Sequence, residues 1–379
     1  MKILFTGGGT GGHVFPLVAV VRKIRRICPE AESKKLKFFY LGPRDPFASI
    51  FLSHEGVEIK EIMTGKIRRY LHWKNILENI FDIFLKIPVG IIQSFFYIFT
   101  IAPDAIFSKG GYGSIPAVIS GWLLWVPIFL HESDSTPGLA NRFLSRFSSK
   151  IFISYPETEY FSPKKIIWSG NPIREEILSG TKEEAKKLFK LTLQKPIILI
   201  LGGSQGAQRI NDLILNILPE LLPSFEIIHQ SGENNFKQVR AEADVVVPKE
   251  LKPYYHIIPL LKEIELSQAY AAADLIISRA GSGIIFEIAA VGKPSILIPF
   301  PEAAQDHQLI NAFLYSQTGA AVVIEKENFK RHFFLEKIKY LLNHPDELEV
   351  MAKKAKEFAK PDSAEIIAEY LISYLTKSR

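Results

Sequence analysis

The sequence predicts an α/β protein of two Rossmann-like domains, each a doubly wound parallel sheet, facing a shared cleft. Short apolar segments typical of buried strands alternate with segments of helical periodicity, which is the pattern of parallel sheets. The alternation restarts near residue 165, and 379 residues suffice for two domains of roughly 100–200 residues each. A glycine-rich loop follows a strand in both halves, as in nucleotide-binding sheets.

In the first half, apolar runs predict strands at Lys2–Thr6, Leu36–Leu41, Ala105–Ser108, Ile128–Leu130 and Ile151–Ser154. Helical periodicity predicts helices at Pro16–Ile27, Asn75–Leu85 and Pro116–Leu124. Ile87–Pro103 and Gly110–Leu130 carry no formal charge, and a membrane-spanning helix needs about 20 apolar residues. Because both stretches contain glycine and proline, we interpret them as buried strands and helices of the core.

In the second half, strands are predicted at Ile197–Leu201, Glu226–His229, Tyr255–Ile258, Leu275–Ser278 and Ser295–Ile298. Helices are predicted at Glu183–Phe189, Ile210–Leu218, Glu263–Ala273, Ile284–Val291 and Gln308–Leu314, and a helical tail at Asp346–Thr376 breaks at Lys360–Asp362. The turn-rich Trp168–Arg174 marks a boundary. We therefore expect domains 1–167 and 168–379, with the last helix a candidate for packing back onto the first domain.

Composition restricts the class of protein. Hydrophobic residues are 47% and charged residues 23% of the chain, which is typical of globular proteins rather than disordered ones. Cys28 is the single cysteine, so we expect a reducing compartment and a buried thiol. The amino terminus lacks the long apolar region of a signal peptide, which favours a cytoplasmic location.

Basic residues are concentrated in the first half. Residues 1–165 contain 21 Lys and Arg against 13 Asp and Glu, whereas the remainder contains 25 against 27. This distribution favours an anionic partner such as a membrane surface, a diphosphate or a nucleic acid, although a solvated basic face gives the same count. No nucleic-acid recognition motif occurs, so we expect no nucleic-acid partner.

Three glycine-rich loops, FTGGGTGGH, FSKGGYGS and LILGGSQGA, each follow a predicted strand. Glycine permits the backbone N–H groups to approach an anion, and the helix amino terminus adds positive charge; a tight turn without a ligand is the alternative. The first loop meets the GxGxxG spacing, yet its expected acidic ribose ligand falls in a polar loop and not at a strand end. The sequence contains no P-loop and no D-x-D motif, so no cofactor or metal is expected beyond a nucleotide substrate.

Several polar residues near these loops are candidates for chemistry. His13 begins a helix beside the first loop and can act as a general base near neutral pH, although a structural histidine is the alternative. Ser204 extends the third loop, and Ser282 lies in a further glycine-rich turn. Glu287 can accept both hydroxyls of a ribose, or it can complement a helix dipole. Gln308 follows a predicted strand, where ligands of α/β proteins bind.

Eight segments in collinear order between residues 8 and 312 carry a family resemblance. They are Gly8–Pro16 (GGTGGHVFP), Ser108–Tyr112 (SKGGY), His131–Glu132 with Pro137–Arg142 (PGLANR), Gly170–Arg174 (GNPIR), Gly202–Ala207 (GGSQGA), His229–Gly232 (HQSG), Glu287–Gly292 (EIAAVG) and Asp306–Ala312 (DHQLINA). Together they resemble the transferases that add N-acetylglucosamine to an undecaprenyl-linked muramyl-peptide precursor, lipid I, and so make lipid II.

The resemblance implies a GT-B fold, an inverting transfer from UDP-N-acetylglucosamine in cell-wall synthesis, and His13 as the base. It implies donor-binding roles for Thr10, Gly11, Gly12, Asp134, Arg174, Ser204, Leu261, Ser282, Glu287 and Gln308. Arg174 and Ser204 would contact the diphosphate, Glu287 the ribose, Gln308 the sugar and a backbone group near Leu261 the uracil. The acceptor-binding residues would be Gly110, Gly111, Tyr112, Glu132 and Asn141.

This sequence departs from the family pattern at three places. Asp134 stands where the family has an asparagine, and an ionised carboxylate only accepts hydrogen bonds. Gly113–Ile115 replaces a segment in which valine is common, and His307 replaces a glutamine.

A lipid acceptor implies a peripheral location at the cytoplasmic face of the inner membrane, with cell-wall synthesis enzymes as further partners. Lys66, Arg68, Arg69 and Trp73 form a basic and aromatic cluster suited to an anionic membrane face. We interpret most of the aromatic residues between 81 and 99 as core packing. The alternatives are a UDP-N-acetylglucosamine 2-epimerase or another GT-B UDP-sugar transferase, a nicotinamide-dependent oxidoreductase and a nucleic-acid binder.

Overall fold

The structure, a computed structural model, describes residues 1–8, 11–28, 35–46, 48–66, 73–156, 158–203, 206–300 and 306–377. The chain divides into two compact units. The first unit contains Met1–Arg174 and Lys360–Arg379, and the second contains Glu175–Ala359. The first unit thus extends past residue 167 and also includes the final helix, which the expected domain 168–379 assigns to the other half.

Strands in chain order are β1 (Lys2–Thr6), β2 (Lys37–Gly42), β3 (Glu58–Glu61), β4 (Ala105–Ser108), β5 (Ile128–Glu132), β6 (Lys150–Ile153), β7 (Ile166–Trp168), β8 (Ile197–Leu201), β9 (Glu226–Gln230), β10 (Tyr255–Ile258), β11 (Leu275–Arg279), β12 (Ser295–Ile298) and β13 (Ala321–Val323). Helices are α1 (Gly11–Ile27), α2 (Trp73–Phe81), α3 (Ile87–Ile101), α4 (Ile115–Leu123), α5 (Leu139–Leu144), α6 (Lys182–Phe189), α7 (Gln208–Leu221), α8 (Phe236–Val246), α9 (Glu263–Ala272), α10 (Ser282–Val291), α11 (His307–Ser316), α12 (Arg331–Leu342), α13 (Pro345–Phe358) and α14 (Ser363–Lys377).

Each unit contains one parallel sheet. In the first unit the strand order is β3-β2-β1-β4-β5-β6-β7, and in the second it is β10-β9-β8-β11-β12-β13. The order reverses between β1 and β4 and between β8 and β11, and ligands of open α/β sheets bind at such reversals, outside the carboxyl ends of the strands. The α/β class and the two doubly wound parallel sheets are confirmed.

Helices cover both faces of the first sheet. One face packs against α1 and α14, where Val18, Ile24 and Leu371 are fully buried with Phe107 of the sheet. The other face buries Ile98 of α3 and Val118 of α4. Cys28 is buried at the end of α1, as expected. Strands covered on both faces read as continuous apolar runs, which explains why β1, β4 and β5 are recognisable in the sequence.

The second unit follows the same plan, with a core formed by α7, α12 and the strands β8, β9, β11 and β12. Thr181 begins α6 as a side-chain cap, because its Oγ1 accepts a hydrogen bond from the backbone N of Glu184 at 3.2 Å. Gly292 ends α10 in the left-handed conformation, with φ of +65°, where a side chain would be strained.

Three short strands, β3, β7 and β13, and the helices α3, α5, α8 and α12 have no counterpart among the elements predicted from the sequence. The strand β3 reads Glu-Ile-Lys-Glu at the edge of the sheet, and its polar composition carries little strand signal. The helix α1 begins at Gly11, five residues before the predicted start at Pro16, because glycines at a helix start suppress the apolar periodicity on which that prediction depends.

The interpretation of 81–99 as core packing is wrong. A five-residue π-helical segment, Asp82–Lys86, joins α2 to α3, and most large side chains of this run are exposed: Phe81, Phe84, Leu85, Ile92, Phe95, Phe96 and Phe99. By contrast, Gly90, Ser94 and Ile98 are buried along one stripe. An almost uniformly apolar helix does not reveal which of its faces is covered, so the sequence alone favoured burial.

Candidate active site

The predicted residues of the first unit lie at the carboxyl ends of neighbouring strands. Gly7 and Gly8 follow β1, and Lys109, Gly110 and Gly111 follow β4. The strand β5 ends at Glu132 and is followed by Ser133 and Asp134. Because β4 pairs with both β1 and β5, these segments meet at one edge of the sheet.

His13 lies in the first turn of α1, close to the loop after β4. A Cβ atom at Gly111 would lie 3.1 Å from Nε2 of His13, so the loop approaches the imidazole closely. The pKa of His13 is lowered to about 4, chiefly by burial and also by the charge of Lys109, while the charge of Asp134 acts in the opposite direction. The imidazole is therefore neutral at neutral pH and able to accept a proton.

Lys109 is a charged residue to which the sequence analysis assigned no role. Its side chain is only 2% exposed, and its Nζ donates a hydrogen bond to Oγ of Ser133. Burial lowers the pKa of Lys109, while the charges of Glu132 and Asp134 raise it. A lysine immediately after a buried strand, within a glycine-rich loop, is the signal that could have identified it.

Glu132 and Asn141 connect two segments of this edge. Nδ2 of Asn141 donates to Oε2 of Glu132 at 2.8 Å, and Oδ1 of Asn141 accepts from the backbone N of Gly111 at 3.1 Å. The backbone N of Asp134 donates to Oε1 of Glu132 at 2.9 Å. Burial and the charge of Asp134 raise the pKa of Glu132. The structure thus brings together four predicted acceptor-binding residues, Gly110, Gly111, Glu132 and Asn141.

Gly110 and Gly111 have φ of +82° and +80°, in the left-handed region that favours glycine. The loop is fixed by Ser114, whose Oγ donates to the carbonyl of Gly110 at 2.7 Å. Tyr112 follows directly and begins a short 3-10 turn. The predicted acceptor loop is therefore held by hydrogen bonds on both sides.

Arg174 ends the first of the two chain segments that form the first unit and is 6% exposed. Its guanidinium lies 4.1 Å above the ring centroid of Phe15, two residues beyond His13 on α1. Nearby, Nε2 of His131 lies 3.1 Å from the carbonyl oxygen of Gly170, which attaches the segment before Arg174 to β5. These contacts fix Arg174 against the helix that carries His13.

The predicted donor-binding residues of the second unit also follow strand ends. Leu261 follows β10, Ser282 and Glu287 lie on α10 after β11, and Gln308 lies on α11 after β12. Ser282 is the first residue of α10 and Glu287 lies in its second turn. The order β10-β9-β8-β11-β12 places these segments along the carboxyl edge of one sheet.

Hydrogen bonds hold three of these residues. The backbone N of Leu261 donates to Oε1 of Gln230 at 3.0 Å. Oε1 of Gln308 accepts from the backbone N of Phe300 at 3.1 Å. Oε2 of Glu287 accepts from the hydroxyl of Tyr270 at 3.0 Å. Gln230 and Tyr270 are positioning contacts that the sequence analysis did not identify.

Some predictions fall on residues that the structure does not describe: Thr10, Ser204, Arg68 and Arg69 lie outside the described ranges. Gly11 and Gly12 open α1. Within the described part of the chain, no group of three or more His, Cys, Asp and Glu side chains is arranged to hold a metal.

Of the predicted membrane-facing residues, Lys66 is exposed and its backbone N donates to Oδ2 of the buried Asp82 at 3.1 Å. Trp73 is 61% exposed at the start of α2. Among the described helices, the run Leu77–Ile101, with 25 residues, is long and apolar enough to cross a membrane by length and composition. Only 17% of its most apolar window is buried.

Comparison with known proteins follows the same division of the chain. Residues 3–153 match the glycosyltransferase family 28 N-terminal domain, and residues 197–367 match the glycosyltransferase family 28 C-terminal domain. A Bacillus cereus protein is 36% identical over 379 residues, 100% of this chain and 99% of its own length. It is named UDP-N-acetylglucosamine–N-acetylmuramyl-(pentapeptide) pyrophosphoryl-undecaprenol N-acetylglucosamine transferase 2.

A Thermodesulfovibrio yellowstonii protein with the same name, but without the final number, is 36% identical over the whole of both chains. Among solved structures, MurG of Acinetobacter baumannii has a TM-score of 0.73 and 24% identity, covering 98% of this chain and 99% of its own. A UDP-GlcNAc 2-epimerase from Neisseria meningitidis has a TM-score of 0.65 and 16% identity, covering 98% and 100%. At these identities the two structures show a shared fold.

Proposed function

The chain belongs to glycosyltransferase family 28, among its UDP-N-acetylglucosamine–N-acetylmuramyl-(pentapeptide) pyrophosphoryl-undecaprenol N-acetylglucosamine transferases, and on this premise we propose that it converts lipid I to lipid II. It is an N-acetylglucosaminyltransferase that takes the sugar from UDP-N-acetylglucosamine and inverts the anomeric configuration. The observation that carries the mechanism is His13, held neutral beside the loop Gly110–Tyr112.

In the proposed reaction, the C4 hydroxyl of the muramic acid sugar attacks the anomeric carbon of the donor. His13 accepts the hydroxyl proton, the new C–O bond forms, and the bond to UDP breaks on the opposite face. An α-linked donor thereby gives a β-linked product. The low pKa of His13 keeps the free base available over the whole neutral range.

The acceptor is proposed to bind at the carboxyl edge of the first sheet through Gly110, Gly111, Tyr112, Glu132 and Asn141. Backbone N–H groups of a glycine-rich loop suit a diphosphate, and the hydrogen bonds of Asn141 hold this loop in place. Asp134 carries a carboxylate where an amide is usual in the family. Its charge acts on both His13 and Lys109, which supports an electrostatic role in addition to a donor contact.

The donor is proposed to bind through the second unit. Glu287 would accept the ribose hydroxyls, Arg174 and Ser204 would contact the diphosphate, Gln308 the sugar, and the carbonyl of Leu261 the uracil. Ser282, Thr10, Gly11 and Gly12 would also bind the donor. Helix amino termini and Arg174 would stabilise the charge that develops on the diphosphate, so we propose a reaction without a metal or other cofactor.

We propose that the enzyme attaches peripherally to the cytoplasmic face of the membrane through α2, α3 and the cluster Lys66, Arg68, Arg69 and Trp73. The stripe Gly90, Ser94 and Ile98 faces the protein, and Oγ of Ser120 on α4 donates to the carbonyl of Ile91 at 2.9 Å. Because one side of α3 packs on the domain, its exposed apolar side is suited to lie in the membrane–water interface rather than to span the bilayer. Other cell-wall synthesis enzymes stay predicted partners.

Incubation with radiolabelled UDP-N-acetylglucosamine and a short-chain lipid I analogue tests the activity. We expect labelled lipid product that depends on the acceptor and is abolished in the His13→Ala variant. Conversion of the nucleotide sugar to its 2-epimer without any lipid acceptor would instead identify an epimerase. Omission and restoration of divalent cations in the same assay tests the proposed independence from metals.

A further inference from the structure

Tyr270 and Glu287 join two helices of the second unit through their side chains. Tyr270 lies on α9 and is fully buried, and its hydroxyl donates to Oε2 of Glu287 on α10 over 3.0 Å. A buried tyrosine has few accessible conformations, so it presents its hydroxyl at a fixed point. The carboxylate of Glu287 is thereby held in one orientation at the carboxyl edge of the sheet.

A second contact ties the same two helices together. Lys293 directly follows Gly292, which ends α10. Its Nζ donates to the carbonyl oxygens of Ala271 and Ala273, at 3.1 Å and 2.7 Å, at the end of α9. The helix that carries Tyr270 therefore cannot shift far from the helix that carries Glu287.

We propose that Tyr270 is a positioning residue that sets Glu287 to accept hydrogen bonds from both hydroxyls of a ribose. The inference rests on the proposed function, in which Glu287 binds the ribose of a uridine diphosphate. An ionised carboxylate can accept about four hydrogen bonds through its two oxygens, so the bond from Tyr270 is compatible with two more from the ligand. A glutamate side chain fixed in advance loses less conformational freedom when the nucleotide binds.

Tyr270 then contributes to selection of ribonucleotides over 2′-deoxyribonucleotides. A site built to bind a hydroxyl discriminates against the analogue that lacks it, provided that the acceptor is correctly placed. Removing the phenolic hydroxyl removes one contact that orients the Glu287 carboxylate, which weakens the ribose contact more than the contacts of the base or the diphosphate.

The test compares binding of UDP and 2′-deoxy-UDP to the full-length wild-type, Tyr270→Phe and Glu287→Gln proteins. We expect Tyr270→Phe to weaken UDP about fivefold, as for loss of one ordinary hydrogen bond, and 2′-deoxy-UDP less, so that the ratio of the two affinities falls. In steady state, the KM for UDP-N-acetylglucosamine should rise while kcat and the KM for the lipid acceptor stay within about twofold.

The matched control is Tyr315→Phe. Tyr315 is also fully buried in the second unit, and within the described part of the chain its hydroxyl has no hydrogen-bond partner. This control should leave the affinity ratio unchanged, which separates loss of a positioning bond from loss of a buried hydroxyl in general. Should Tyr270→Phe fail to fold, Lys293→Met loosens the same pair of helices and should lower the ratio in the same direction.

The outcomes separate this inference from the assignment of Glu287. Suppose that Glu287→Gln lowers the ratio of the UDP affinity to the 2′-deoxy-UDP affinity, whereas Tyr270→Phe leaves this ratio unchanged because it weakens both nucleotides equally or not at all. The positioning role of Tyr270 is then overturned, and the ribose role of Glu287 stands. If Glu287→Gln itself leaves the ratio unchanged, the ribose assignment in the proposed function fails, and the inference fails with it.

Discussion

Asn141 donates a 2.8 Å hydrogen bond to Glu132 at the end of β5, and it accepts a 3.1 Å hydrogen bond from the backbone N of Gly111 in the loop after β4. It thereby joins these two segments. Glu132 and Asn141 are nine positions apart, and Asn141 enters the site from the helix α5. Both side chains are 5% exposed. Any change that displaces Asn141 therefore acts on the Gly111 backbone and on the Glu132 carboxylate together.

We predict that Gly110→Ala greatly reduces activity. Gly110 has φ of +82°, and a Cβ atom there would overlap the side-chain amide of Asn141. The strained backbone alone costs about 1–3 kcal/mol, and the displaced amide breaks the bonds to Gly111 and Glu132. The measurement is the KM for the lipid I analogue together with the thermal unfolding midpoint.

Gly138→Ala is the control for that variant. A Cβ at Gly138 would meet nothing within 4 Å, and its φ of −64° is ordinary for alanine. Activity and unfolding midpoint should both stay near the wild-type values. Equal effects of the two substitutions would contradict the role given to the Gly110 loop.

We predict that His13→Ala lowers kcat by about 10²–10⁴-fold, the usual contribution of a general base. The variant removes the proton acceptor without removing any proposed donor contact, so the KM for UDP-N-acetylglucosamine should change little. His54→Ala, at an exposed histidine of the same unit, is the control. Near-normal turnover in His13→Ala would exclude His13 as the base.

The pH profile depends on Lys109. With a pKa of about 4, His13 becomes protonated only in acid, so the acid limb of kcat/KM due to this group should lie below about pH 5. Lys109→Met removes a positive charge that lowers this pKa, so the limb should move to higher pH. The comparison is with Lys150→Met, at a lysine of the same unit that donates to the backbone carbonyl of Lys164. A limb that stays fixed or moves to lower pH argues against coupling between Lys109 and His13.

Acid should destabilise the second unit through His229. His229 is fully buried between Asn211 and Tyr255, and burial lowers its pKa from 6.5 to about 3. Between these values the unfolded chain binds the proton and the folded chain does not, so stability falls as pH falls. From pH 7 to pH 5 the loss is about 2 kcal/mol, since each pKa unit is worth about 1.4 kcal/mol.

His229→Gln should remove this part of the pH dependence, which urea unfolding at pH 7 and pH 5 would measure. The exposed His332→Gln is the comparison variant and should keep the full dependence. If His229→Gln loses as much stability between the two pH values as the wild type, another group is responsible for the acid sensitivity.

Membrane attachment should depend on the exposed apolar side chains of α2, of the π-helical segment Asp82–Lys86 and of α3. Replacing Phe84, Phe96 and Phe99 by serine removes three large exposed apolar side chains and should weaken binding to anionic vesicles by about tenfold or more. The control replaces Val245 and Ile264, two exposed apolar residues of the second unit, by serine and should leave vesicle binding unchanged. Flotation with liposomes measures both.

Charge reversal of Lys66, Arg68 and Arg69 tests the electrostatic part of the same attachment. Basic residues contribute about 1 kcal/mol each near an anionic surface, so the variant should bind vesicles of phosphatidylglycerol less than the wild type. Binding to neutral vesicles should be unaffected. Unchanged flotation with anionic vesicles would remove this cluster from the proposed surface.

The fold and the positions of the candidate residues could be predicted because their signals are local. Buried parallel strands are apolar runs, the glycine-rich loops follow them directly, and the carboxyl ends of parallel strands meet at one edge of the sheet. His13, Glu132 and Asp134 could therefore be placed near one another from the sequence, and Ser282, Glu287 and Gln308 likewise in the second half.

Only the tertiary structure decided how these residues are held and which apolar surface stays uncovered. Lys109 bonds to Ser133, Tyr270 to Glu287 and His131 to Gly170 across 17 to 39 positions of the chain. The exposure of Phe96 and Phe99 likewise depends on which face of α3 meets α4. The sequence determined the positions of most strands, helices and glycine-rich turns because hydrophobic periodicity and glycine act within a few residues. Contacts between distant segments, and the shifts in pKa that they cause, arise only when packing brings those segments together and excludes water.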